Sequence, residues 1–94
     1  MKKHTRVYLD FFGYGEQDVV MCEFCNWHTM CDIHHIEPRS SFGSKRKDEQ
    51  DKIENLIGLC RECHNKAHGI KGNIDKKALV YVHLMKIKEI KGIT

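Results

Sequence analysis

Two cysteine pairs of identical spacing, Cys22-Glu23-Phe24-Cys25 and Cys60-Arg61-Glu62-Cys63, constrain this chain more than any other feature. A C-x2-C knuckle bends the backbone so that two thiolates reach one ion, and a second knuckle completes the tetrahedron. A chain of 94 residues has room for one domain. A chain that short buries only about 60–65% of its unfolded surface, so a metal staple adds stability that its core alone lacks. The expectation is a single domain over residues 1–94, pinned by structural Zn2+ on Cys22, Cys25, Cys60 and Cys63.

Other uses of the cysteines fit less well. Five is an odd number, so complete pairing into disulfides is excluded. The basic start, Met1-Lys2-Lys3-His4, is not followed by the apolar stretch of a signal peptide. No apolar run approaches the roughly 18 residues of a membrane span. A reducing cytoplasm without a membrane partner is therefore expected, where thiols hold metal in preference to pairing. Read alone, one knuckle suits redox chemistry, and residues 60–64 spell a haem-attachment sequence, but both readings leave the first knuckle unexplained. Cys31 lies in an apolar-alternating stretch and reads as a small buried side chain. A hydrophobic share of 40% with 31% charged residues excludes wholesale disorder. The net charge of +3 is compatible with a polyanionic partner without demanding one.

Along the chain, residues 5–12 and 19–21 are rich in β-branched and aromatic side chains, and Gly13-Tyr14-Gly15 between them predicts an N-terminal hairpin. Residues 30–36 read as a short strand. Residues 37–52 hold the only proline, with serines and mixed charges, and read as a long loop of the kind that carries function. A short apolar element at 53–59 precedes the second knuckle, and residues 61–68 read as a helix stopped by Gly69. Asp75 caps a C-terminal helix with Ala78, Leu79, Val82, Met85 and Ile90 at near-helical spacing. The fold class is small α+β.

Seven histidines are unevenly placed. His34 and His35 are neighbours on a strand, so their side chains point to opposite faces and serve different parts of a site. His64 and His68 are four apart on a helix, which stacks two imidazoles on one face where they can grip one ion. Because His64 follows Cys63 directly, a zinc knuckle would fix the helix that presents both. His4, His28 and His83 have no recognisable partners and read as structural.

Residues 32–38 (Asp-Ile-His-His-Ile-Glu-Pro) and 53–68, from Ile53-Glu54-Asn55-Leu56 to Cys60-Arg61-Glu62-Cys63-His64-Asn65-Lys66-Ala67-His68, resemble the HNH endonucleases of the cysteine-flanked type. The resemblance spans about residues 22–69 and implies a ββα-metal (His-Me finger) core: two strands and a helix around one divalent ion. It implies that His34, His64 and His68 hold that ion, Mg2+ or Mn2+ before other transition metals. It makes His35 the general base that activates water, with Asn55 holding the His35 ring. It also implies phosphodiester hydrolysis in DNA leaving 5′-phosphate and 3′-hydroxyl ends. Backbone phosphates would meet Arg39, Lys45, Arg46, Lys47 and Lys66, a salt-dependent attraction without base information. A non-catalytic zinc-dependent nucleic-acid-binding module is the competing reading, and it needs none of the His34, His35, Asn55, His64 and His68 set. Cleavage preference, nicking against double-strand cutting, oligomeric state and biological role are not written in these residues.

Overall fold

A computed structural model describes residues 2–38, 42–43 and 49–91. In chain order its elements are helix α1 (Lys3–Phe12), strand β1 (Asp32–His35), a 3-10 turn (Ile53–Asn55), strand β2 (Leu56–Leu59), helix α2 (Arg61–Ala67) and helix α3 (Lys76–Lys91). Among the described residues this is a small α+β fold with one two-stranded antiparallel sheet. No helix there is long and apolar enough to cross a membrane.

The expected N-terminal hairpin is a helix. Tyr8, Leu9 and Phe12 fall on one side of α1 and are buried, a spacing that outweighs the β preference of the individual residues. Gly13, taken for a hairpin turn, is the helix stop: its φ is 74°. Its N–H donates to Asp10 O, and the N–H of Tyr14 donates to Leu9 O at 2.9 Å, the paired bonds of a Schellman cap. Residues 19–21 are extended but pair elsewhere. Met30 N–H donates to Val20 O at 2.7 Å and Cys22 N–H to His28 O at 2.9 Å, closing a small loop around the first knuckle.

In the sheet, Asp32 faces Leu59, Ile33 faces Gly58, His34 faces Ile57 and His35 faces Leu56. All four residues of β2 are buried, so both its faces are covered. Ile57 and Leu59 pack with Cys22, Cys60, Cys63, Ile74 and Leu79. Leu56, on the other face, packs with Tyr8, Leu9, Phe12, Val20 and Ile87. Gly58 shares the Leu56 face, where a methyl group would fall onto Met30 Sδ and within 2.7 Å of Tyr8 Oη. Gly58→Ala is therefore expected to cost about 1–3 kcal/mol by overpacking, read as a lowered urea midpoint at unchanged zinc content.

Helix α3 begins after Asp75, whose carboxylate accepts from Lys77 N–H at 3.4 Å. Its buried side is formed by Leu79, His83 and Ile87, whereas Met85 and Ile90 are 45% and 50% exposed. The helix expected from sequence is present, rotated from the expected face. His83 explains the rotation, because it is fully buried and bonded at both ends. Its Nδ1 lies 2.8 Å from Glu23 Oε1, and its Nε2 donates to Ile53 O at 2.5 Å.

Glu23 is the hub of that arrangement. Its Oε2 accepts from Tyr8 Oη at 2.5 Å and from Gly58 N–H at 2.9 Å. Burial, and then the Glu23 carboxylate, raise the Tyr8 hydroxyl far above its ordinary range, so it remains a donor. One side chain thus ties α1, β2 and α3 together. Glu23→Ala strands three polar partners in a dry interior and should cost on the order of 3–5 kcal/mol. Guanidinium unfolding in excess zinc checks this, and a loss below about 1 kcal/mol would contradict the clamp.

Candidate metal centres and catalytic cleft

The four knuckle cysteines converge, with their sulfurs all within 4.8 Å of one another. Cys25 Sγ and Cys60 Sγ are 3.9 Å apart. A tetrahedron with Zn–S bonds of about 2.3 Å has an edge of about 3.8 Å, so the donor set fits zinc in spacing as well as in kind. Backbone N–H groups converge on the sulfurs: Cys25 N on Cys22 Sγ at 3.5 Å, Trp27 N on Cys25 Sγ at 3.4 Å and Cys63 N on Cys60 Sγ at 3.4 Å. Burial opposes ionisation of Cys25, but bonds from His28, Trp27 and its thiol neighbours prevail and pull it down to about 6, toward the thiolate that a metal requires. Asn26 sits at φ 53°, which lets the first knuckle turn within one residue of Cys25. Cys31 stands apart from this group. It is exposed and not buried as expected, because it precedes β1 with its sulfur turned outward to Arg61 Nη2 at 3.3 Å.

A second group of donors gathers where β1 meets α2. The ring nitrogens of His34, His64 and His68 lie within 4.8 Å of one another. His64 Nε2 and His68 Nε2 are 3.2 Å apart, against about 3.3 Å for two imidazoles on one tetrahedral ion at roughly 2.0–2.1 Å. His64 Nδ1 faces Asp32 Oδ2 at 3.2 Å. The carboxylate can only accept, so Nδ1 carries the hydrogen and Nε2 keeps its lone pair toward the other imidazoles. Burial, followed by the nearby His64, His68 and His35, pushes His34 down to about 4, so it is neutral at pH 7, the form that binds a cation. Asp32 received no role from sequence. Its position two residues before His34, on the same strand face, was the available signal.

His35 points away from that group, as strand alternation requires. Its Nε2 lies 2.9 Å from Asp51 Oδ1, with side-chain exposures of 13% and 9%. An ionised Asp51 accepts the Nε2 hydrogen and leaves Nδ1 with the lone pair. The side chain directly bonded to the His35 ring is therefore Asp51. The Asn55 amide is committed elsewhere: Oδ1 accepts from Glu37 N–H at 2.7 Å, and Nδ2 donates to Glu37 O at 3.1 Å and Gln50 O at 2.9 Å. Asn55 thus joins the two ends of the polar loop, which fixes the backbone just after His35 and brings Asp51 to it. No local pattern marks Asp51, because the pairing exists only once that loop is closed.

His34, His35, His64, His68 and Lys76 line one cleft of about 440 Å³. Lys76 Nζ is paired with Glu37 Oε1 at its rim. Lys66, expected at the nucleic acid, lies two positions from His64, with its stem near Gly72. Arg39, Lys45, Arg46 and Lys47 fall outside the described residues. The His28 side chain lies 3.8 Å from Glu62 at the surface.

Residues 22–69 match the family model described as HNH endonuclease. No curated protein and no solved structure matches the chain.

Proposed function

The chain belongs to the HNH endonuclease family, and on that premise we propose that it is a metal-dependent endonuclease that hydrolyses phosphodiester bonds in DNA. The observation that carries the proposal is the convergence of His34, His64 and His68 beside a separately held His35, in one cleft. A binding module gains nothing from that division of labour between neighbours on a strand.

His35 is the general base in this reading. Asp51 takes the Nε2 hydrogen and fixes the ring, so Nδ1 is the atom that accepts a proton from the attacking water. His34, His64 and His68 would hold a divalent ion, and three imidazoles favour Mn2+ or another transition metal over Mg2+, with Asp32 orienting His64. Bound there, such an ion supplies charge stabilisation at the scissile phosphate and its leaving oxygen. The four-cysteine zinc holds the start of α2, and with it His64 and His68, at a fixed distance from β1. Asn55 is a positioning residue, acting through the backbone on either side of the loop. Arg39, Lys45, Arg46 and Lys47 are proposed to meet backbone phosphates, which makes binding strongly salt-dependent. The thiol-held zinc fits a reducing compartment, the cytoplasm in this proposal.

Incubation of the zinc-loaded protein with supercoiled plasmid, with and without Mg2+ or Mn2+, tests the reading. Metal-dependent appearance of nicked or linear product supports it. DNA binding without cleavage under any divalent ion would move the assignment to the non-catalytic module.

A further inference from the structure

His4 lies in the first turn of α1, before the residues that match the family, yet it reaches the far side of β1. Its ring and that of His35 meet edge to face with centroids 4.9 Å apart. His4, His35 and Asp51 each offer one donor atom, and these atoms lie within 4.8 Å of one another. His35 Nε2 and Asp51 Oδ1 are already 2.9 Å apart. Two ligands of a tetrahedral ion, each roughly 2.0–2.1 Å from it, are about 3.3 Å apart, so this pair has to open by only a few tenths of an ångström to admit one. Asp51 is buried and the two histidines are half-buried, so an ion there would be partly shielded from water.

We propose that His4, His35 and Asp51 form a second transition-metal site, and that a dication of the Zn2+ class bound there takes His35 out of catalysis. Two imidazoles and one carboxylate favour Zn2+, Co2+ or Ni2+ over Mg2+, which prefers oxygen ligands and keeps its water. The site is distinct from the His34, His64 and His68 group because neighbouring strand residues face opposite ways. Its effect follows from the ring chemistry. When an ion takes the Nε2 lone pair, the hydrogen of the neutral imidazole moves to Nδ1, and no lone pair remains to accept a proton from water. Binding itself does not depend on the endonuclease reading. The inhibition does, since it rests on His35 being the base.

The test is equilibrium dialysis of the full chain against micromolar Zn2+, with elemental analysis, for the wild type, His4→Ala and Asp51→Asn. Circular dichroism and retention of the cysteine-bound zinc confirm folding of each variant. The wild type should hold one more ion per chain than either variant. Equal ion counts in all three would overturn the site. In plasmid cleavage with saturating Mn2+, the Zn2+ needed for half-inhibition should rise at least about tenfold in His4→Ala, the least expected from losing a direct ligand. Loss of the ion without that shift would overturn the inhibitory role. Absence of cleavage by the wild type would refute the endonuclease reading instead, and the ion count would still decide the site.

Discussion

Cys22→Ser, Cys60→Ser and Cys63→Ser should each leave a chain that neither retains zinc nor folds cooperatively, and Cys25→Ser, at the exposed corner of the site, should lose zinc as well. Cys22, Cys60 and Cys63 are members of the buried cluster around Ile57 and Leu59, so an ion held by them would sit within the core. Structural zinc contributes on the order of 10 kcal/mol, comparable with the roughly 5–15 kcal/mol of net stability of a whole domain. No compensating interaction of that size exists in so small a core. Elemental analysis with far-ultraviolet circular dichroism checks the result, and a folded, zinc-free wild type would refute it. Cys31→Ala should keep full zinc content, because its sulfur faces Arg61 at the surface.

His35→Ala should preserve zinc content, fold and DNA affinity while single-turnover plasmid cleavage falls about 10²- to 10⁴-fold, the usual share of a general base. His34→Ala should behave differently. On the proposed assignment it removes a metal ligand at the other face of the strand, so raised Mg2+ or Mn2+ should restore part of the activity. Asp51→Asn tests positioning without removing the base. Its amide can still donate or accept, but the preference for an Nε2 hydrogen is lost, so the pH profile of cleavage should change shape as well as height. Near-wild-type cleavage by His35→Ala would exclude it as the base.

The parts of this molecule legible in its sequence are those encoded by short, fixed spacings. The two knuckles, the alternation of His34 and His35, the four-residue step from His64 to His68 and the glycine stop after α2 are local geometry. Their spatial grouping follows with little help from the rest of the chain. The N-terminal helix is hidden in the sequence because Val7, Tyr8, Phe11 and Phe12 have strand-like composition at helical spacing, and Gly13 serves a helix end as readily as a hairpin. The partners of the histidines were less visible still. Asp51 meets His35 only through closure of a loop by Asn55, and Glu23 meets His83 across 60 residues of chain. Such pairings belong to tertiary structure, and no window of sequence contains both ends.

Glu23 is joined by a peptide bond to Cys22, so the residue that receives α1 and α3 has no fixed address until the first knuckle has closed. This gives the molecule an order of assembly. The cysteine loops, once they hold metal, would form the platform, and the terminal helices would dock on it afterwards through Tyr8 and His83. In hydrogen exchange, amides around the knuckles and β2 should outlast those of both helices. Withdrawal of zinc should release the helices together instead of one by one. The cleft and the proposed second site are complete only when both helices have docked, because His4 travels with α1 and Lys76 with α3. On the proposed reading, metal supply would therefore time the maturation of the cleft, separate from any part a second ion plays in turnover.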